Sequence, residues 1–184
     1  MKGWWARQRE AQERRQLARL DDPRTLRWRD TRAKRQRLVV AGAGALALLW
    51  AGLVVIWFLA PSDTARNVYI SMLFVAFAIG VFVVGVLQQA TGGITTLSPG
   101  RLDERQLDER NRAYTTAHLA TTAGLVVLVA LSLQAGRTSG GLTITIPLAL
   151  IYPGAFTLAV THLFLPLLIV GWRLPDPPPD DEDD

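Results

Sequence analysis

Four long apolar segments, none of which contains Asp, Glu, Lys or Arg, dominate this sequence. They cover residues 38–60, 68–90, 114–135 and 143–172. A helix of about 20 apolar residues crosses the roughly 30 Å hydrocarbon core of a bilayer, whereas a surface helix of a soluble protein needs a polar face. The pattern therefore predicts an all-α, polytopic membrane protein whose four transmembrane helices occupy residues 38–172.

The first apolar segment follows a basic region, which is also the general plan of a cleaved signal peptide. The apolar part of such a peptide has about 7–15 residues, and residues 38–60 form a longer stretch. We therefore expect a retained membrane span. The sequence also lacks cysteine, which excludes disulfides, thiolate metal sites and a cysteine nucleophile.

The links between the apolar segments predict how the helices are arranged. Residues 61–67 and 136–142 are short, turn-rich links, so the helices that they join should pack antiparallel, giving an up-down bundle. The middle loop, residues 91–113, is longer and charged.

The distribution of basic residues predicts that both termini are cytoplasmic. With the N-terminus inside, 18 of the 20 Lys and Arg residues lie on the cytoplasmic side, and only Arg66 and Arg137 lie outside. Trp28, Trp57 and Trp172 are predicted to be membrane-interface anchors. Arg outnumbers Lys 18 to 2, which favours a GC-rich bacterial genome and hence the bacterial inner membrane.

The two ends of the chain carry opposite charge. Residues 1–37 form a basic arm with 13 Lys and Arg against 5 Asp and Glu, and residues 173–184 form an acidic tail that we expect to be extended and disordered. Asp22 and Pro23 have the pattern of a helix N-cap and first residue, so a helix is predicted to run from there into the first span. Anionic lipid attracts such an arm, and the lipid bilayer is a better predicted partner than nucleic acid, which we do not expect.

The middle loop contains the tetrapeptide LDER twice. Ser98 and Pro99 predict a helix that continues into the third span, on which opposite charges three or four residues apart can pair. We favour a solvated, self-paired helix, with a docking surface for a cytoplasmic protein as the alternative. The predicted pairs are Arg101 with Glu104, Arg105 with Asp108 and Glu109, and Asp108 with Arg112. The candidate interaction residues are Arg101, Asp103, Glu104, Arg105, Asp108, Glu109, Arg110 and Arg112.

The string LDERQLDERNRAYTTAHLA, in which this loop runs into the third span, resembles small four-helix bacterial membrane proteins of families without an assigned activity. The resemblance covers this string and the order of the apolar segments. It implies the four-helix plan and no activity, cofactor or catalytic residue.

The two histidines, His118 and His162, both fall inside apolar segments. Ionisable residues within a membrane are candidate functional residues, and a haem-binding or proton-handling pair is one interpretation. Two neutral imidazoles bonded to threonine or backbone groups are the other, which we favour because no carboxylate accompanies them. We therefore predict no cofactor, no metal and no catalytic residue.

Small residues recur at four-residue spacing in the first two spans, which allows close helix packing within one chain or between two copies. They are Ala43, Ala47 and Ala51, and Ala76 and Gly80. The fourth span contains Pro147, Pro153 and Pro166, which predict a kink.

Three classes of function remain open at this point. We favour a non-enzymatic accessory or scaffold subunit that acts through helix packing and its charged cytoplasmic segments, with a protein partner or a second copy of the chain. A pore-forming or transporter component, including a phage-type lytic pore, is the first alternative. A haem- or proton-handling membrane protein that uses His118 and His162 is the second.

Overall fold

Four helices, each long and apolar enough to cross a membrane, make up most of the described chain. The structure is a computed structural model and describes residues 31–138 and 148–175. The helices are α1 (Arg32–Leu59), α2 (Asp63–Ala90), α3 (Glu104–Thr138) and α4 (Leu148–Arg173), and a 3₁₀ turn covers Pro99–Arg101. These ranges contain no strand, and the prediction of an all-helical chain with four candidate membrane spans is confirmed for them.

Several predictions concern residues outside those ranges. They are the helix start at Pro23, the interfacial Trp28, the proline at position 147 and the acidic tail from residue 176 onward. The kink predicted in the fourth span does not interrupt the helix, since α4 continues past Pro153 and Pro166.

A capping residue sets the start of α2, which begins before the apolar segment 68–90. Ser62 caps α2, because its Oγ accepts a hydrogen bond from the backbone N–H of Ala65 at 3.0 Å. Asp63 then lies in the first turn, where a negative charge is favourable. The link between α1 and α2 is therefore only residues 60–62, shorter than the apolar pattern predicts.

The end of α2 turns the chain back onto the bundle. Gly92 and Gly93 have φ values of 64° and 71°, a conformation that favours glycine. Their N–H groups bond to the carbonyls of Gln89 and Gln88 at 3.1 and 2.8 Å, which is the pattern of a Schellman motif. Because of this turn Ile94 packs in a small buried cluster with Ala113 and Val170. We call this end of the bundle, where residues 91–103 lie, the loop end.

The first helix is the centre of the bundle. α1 packs against α2 and α4, and α3 packs against α4, whereas α2 and α3 make almost no contact. In the most apolar stretch of each helix, 44% of the residues of α1 are buried, but only 11% of those of α3. The third helix is thus attached to the bundle along one side and is otherwise exposed.

A tryptophan and two threonines join α1 to α4 in the middle of the bundle. The indole N–H of Trp50 donates to Thr161 Oγ1 at 3.2 Å, and the Thr161 hydroxyl donates to the carbonyl of Thr157 at 2.7 Å. Thr157 itself is completely buried, and its own hydroxyl has no hydrogen-bond partner among the described residues.

Because only one of the two threonine hydroxyls accepts a hydrogen bond from another helix in the described structure, replacing each threonine by valine should change the stability differently. Thr157→Val replaces an unpaired hydroxyl by a methyl group of similar shape, so we expect unchanged or slightly higher stability. Thr161→Val removes the acceptor of the Trp50 indole and should lower stability by about 1 kcal/mol. Thermal unfolding of the two purified variants in one detergent measures the difference. Equal losses in both variants would show that the Thr157 hydroxyl has a stabilising partner.

Candidate functional site

The two histidines come together on the surface of the α3–α4 pair. The ring centroids of His118 and His162 are 6.3 Å apart, and the rings meet edge to face at 75°. Both side chains are exposed rather than enclosed by the four helices. The structure thus brings together the two residues that the sequence singles out inside the apolar segments.

A threonine determines how His162 can form hydrogen bonds. The Thr121 hydroxyl donates to the carbonyl of Ala117 at 2.7 Å, so its proton is already used. His162 Nδ1, 3.4 Å from Thr121 Oγ1, must then be the donor in that contact, which is long and therefore weak. The other nitrogen, Nε2, is left as an acceptor in the neutral ring.

The histidine pair alone does not form a metal centre of a common type. Structural and catalytic zinc sites use three or four protein ligands, and the part of the chain that the structure describes contains no group of three or more His, Cys, Asp or Glu side chains that could hold a metal ion.

Polar side chains continue from His118 along an exposed face of α3. Thr115 and Thr122 lie three and four residues from His118, so the three side chains share one side of the helix. All three are exposed. This face combines hydroxyl groups and an imidazole within the apolar part of the helix.

A second feature is an apolar groove with a volume of about 700 Å³. Its walls are α2 and α4, and its floor is a short stretch of α1 beginning at Ala45. At the loop end it is bordered by Gln88, Thr95, Thr96 and Tyr114. We refer to this feature as the groove and to those four residues as its polar end. The apolar pattern of the sequence carries no signal for it, because it depends on how far apart the helices pack.

The helix at the LDER repeat begins later than Ser98 and Pro99 predict, so the predicted start of this helix is wrong. Pro99 begins only a 3₁₀ turn, and α3 starts at Glu104. The reason is a stronger cap: Asp103 Oδ1 accepts from the N–H of Gln106 at 2.7 Å, and Gln106 Oε1 accepts from the N–H of Asp103 at 3.2 Å, which is a reciprocal capping box. Arg101 therefore lies outside the helix on which it was expected to pair with Glu104.

Of the other ion pairs predicted for this segment, the structure forms one. Arg112 Nη2 lies 2.8 Å from Asp108 Oδ2, and both side chains are exposed, so the pair contributes little stability. Arg105 is exposed and forms no ion pair with Asp108 or Glu109 in the described structure.

Arg110 has a different role, which the repeat pattern does not predict. Its Nη1 donates to the carbonyl of Leu97 at 2.8 Å, and its guanidinium lies 5.7 Å from the centre of the Tyr114 ring. The side chain is half-buried and lies beside the polar end of the groove. This hydrogen bond ties the loop at Leu97 to α3.

The remaining candidates lie at helix ends or on the surface. Glu104 is exposed and Glu109 is half-buried. Trp57 and Trp172 are 48% and 46% exposed, near the C-terminal ends of α1 and α4 and hence at opposite ends of the bundle. That they anchor the chain at a membrane interface stays a prediction.

One important residue is absent from the sequence predictions. Arg35 is only 1% exposed, and its Nη2 donates to the carbonyls of Leu174 and Pro175 at 2.7 and 3.0 Å. It ties the start of α1 to the end of α4. In the sequence it is one of many basic residues before the first span, and nothing distinguishes it from its neighbours.

Comparison of the chain with protein-family models, with curated proteins and with solved structures finds no match. The class of molecule is therefore defined by the fold alone: an all-helical chain, over the described residues, with four helices that could span a membrane.

Proposed function

We propose that this chain is a non-enzymatic accessory subunit of the bacterial inner membrane, with both termini in the cytoplasm, and that it docks a transmembrane helix of a partner protein on α3. The observation that carries the proposal is the polar face of α3, formed by Thr115, His118 and Thr122, which no part of the described bundle covers.

The surroundings of that face in a bilayer support a partner. Hydrocarbon offers no hydrogen bonds, and ionisable residues in membrane spans almost always face protein or a water-filled cavity. Hydroxyl and imidazole side chains commonly join transmembrane helices to each other. A partner helix that covers the face would supply the missing hydrogen bonds, and the Nε2 atom of His162 is available as an additional acceptor.

The charged loop end supports the same type of function. Glu104 and Arg105 are exposed, form no ion pair in the described structure, and are the first two residues of α3, the proposed docking helix. Exchange of these charges with a cytoplasmic part of the partner would fix its orientation without any chemical step.

The proposal predicts crosslinking at one matched position and not at another. A photo-crosslinking residue placed at Thr122 should give a discrete protein adduct in native membranes, and one at Phe82 should not. Both residues are exposed, and both lie eight residues from the loop-end boundary of their predicted spans, so their depth in the bilayer is comparable. The mass of the adduct identifies the partner as another protein or as a second copy of this chain.

A second variant tests whether the Thr122 adduct depends on the polar face or arises from chance encounters in the membrane. His118→Leu removes the central polar group of the face and should reduce the Thr122 adduct several-fold, because a polar contact between transmembrane helices contributes about 1–2 kcal/mol. Leu119→Val, on the neighbouring exposed position, should leave the adduct unchanged. Equal adducts at Thr122 and Phe82, or the same yield in all variants, would contradict the proposal.

A further inference from the structure

We propose that the groove binds one acyl chain of an anionic phospholipid, with the lipid phosphate beside Arg110. The inference is independent of the protein docking described above, since Thr115, His118 and Thr122 do not line the groove and the ligand is a lipid.

The size and the lining of the groove fit an acyl chain. A volume of about 700 Å³ lies within the range of roughly 300–1,000 Å³ that is common for small-molecule sites. Along α2 the groove extends from Leu73 to Gln88, which corresponds to about 22 Å of helix. Half of a bilayer core is about 15 Å, so the groove can hold a chain from one leaflet along its full depth.

The polar end of the groove favours an amphiphilic ligand over a plain hydrocarbon. The side chains of Gln88, Thr95 and Tyr114 form no hydrogen bond with any described residue. All three lie at the loop end, whereas the walls farther along are aliphatic and aromatic, for example Val84 and Phe156. A ligand with an ester or phosphate group at one end and a long apolar chain would satisfy both regions at once.

The charge at this end favours an anionic headgroup. Arg110 uses Nη1 for the Leu97 carbonyl, and its other N–H groups have no partner among the described residues. No carboxylate forms an ion pair with it there. A guanidinium with free donors binds phosphate through short, charge-assisted hydrogen bonds, and a zwitterionic headgroup would bring a second positive charge next to it.

Glycines on the bundle provide a matched test of the groove. A Cβ atom at Gly80, which lines the groove, would meet nothing within 4 Å, and the same holds at Gly44, which is exposed on α1 and does not line it. Both positions therefore accept a Cβ atom, and a leucine side chain is expected to occupy part of the groove at position 80 and not at the exposed position 44. The pair Gly80→Leu and Gly44→Leu changes the same residue type in the same way.

The experiment measures lipid binding to the full-length protein in detergent by native mass spectrometry, with added phosphatidylglycerol or phosphatidylcholine of the same chain length. We expect one phosphatidylglycerol bound to the unmodified chain and to Gly44→Leu at lower lipid concentration than phosphatidylcholine. Gly80→Leu should lose both lipids. Arg110→Gln should lose about tenfold in affinity for phosphatidylglycerol and little for phosphatidylcholine, while Arg105→Gln should behave as the unmodified chain.

Three results would overturn the proposal. They are unchanged lipid binding in Gly80→Leu, equal affinity of the unmodified chain for the two lipids, and equal effects of Arg110→Gln and Arg105→Gln. The last of these would mean that general surface charge, and not the position of Arg110 beside the groove, attracts the lipid. Elution of each variant as a single symmetric peak is required before its binding is compared, and Gly80→Ala serves as a smaller change if the leucine variant does not pass.

Discussion

Replacing Gly171 by leucine is expected to destabilise the bundle by about 3 kcal/mol, because α4 approaches both α1 and α2 at this glycine. A Cβ atom built there would lie 2.7 Å from Leu87 Cδ1 and 3.0 Å from Val39 Cγ2. Leu87 is completely buried and Val39 almost so, so neither side chain has space to move into. Inserting carbon atoms into a packed core costs about 1–3 kcal/mol, and leucine at this site lies at the upper end of that range.

The alanine variant of the same glycine provides a graded test. Gly171→Ala adds only the clashing Cβ atom, and alanine favours a helix over glycine by about 1 kcal/mol, which offsets part of the cost. We expect a net loss of about 1 kcal/mol, between the original chain and the leucine variant. Gly44→Ala should be neutral or stabilising, since no atom lies within 4 Å of its Cβ position.

Thermal unfolding of these variants in one detergent tests the close approach of the three helices. A loss that increases from glycine to alanine to leucine at position 171, without a loss at position 44, is the expected result. If both positions respond alike, then glycine is needed for helix insertion or backbone flexibility, and not for packing at Gly171.

The existence of the four helices could be predicted from the sequence because it depends only on the length of the uncharged apolar segments. Apolar segments longer than 20 residues without charge have few alternatives to a helix in or near a membrane. The helix ends could not be predicted in the same way. They depend on single polar atoms, such as the Ser62 Oγ at the start of α2 and the Asp103–Gln106 pair at the start of α3.

The buried face of each helix was also beyond the sequence pattern. Within residues 38–59 α1 is apolar on all sides, so hydrophobicity does not distinguish the inner face of this stretch from its outer face. The row Ala43, Ala47 and Ala51 is exposed, while the buried side carries residues such as Gly42 and Leu49. The alanine row therefore has no packing role within the described bundle. In the second span Ala76 is buried and Gly80 lines the groove.

The two candidate sites also differ in whether the sequence alone could reveal them. The histidines stand out in the sequence because they are the polar exceptions in apolar segments, and the structure places their rings 6.3 Å apart. The groove arises because α2 and α3 do not pack together, which depends on long-range packing. Arg110 could be identified as a member of the LDER repeat, but its position beside Tyr114 could not, since it depends on the start of α3.

Arg35→Ala is expected to lower the free energy of unfolding by about 3 kcal/mol, the largest effect predicted for a charged residue of this chain. Nη2 of the guanidinium donates to two carbonyls just beyond the end of α4, those of Leu174 and Pro175. Hydrogen bonds from a charged donor contribute about 1.5–3 kcal/mol each, and a side chain that is 1% exposed also leaves a cavity when it is removed.

The control for this variant is Arg37→Ala, which removes an exposed positive charge two residues away on the same helix. If Arg35 served only to keep the N-terminal end of α1 in the cytoplasm, the two variants would behave alike, because the distribution of positive charge near a span sets orientation. The contact with α4 instead predicts a large loss for Arg35→Ala and almost none for Arg37→Ala. Arg35→Lys should fall between them, because an ammonium group keeps the charge but cannot reproduce the planar geometry of the guanidinium donors. Unfolding of the three variants in detergent therefore distinguishes a buried link between helices from the general effect of positive charge.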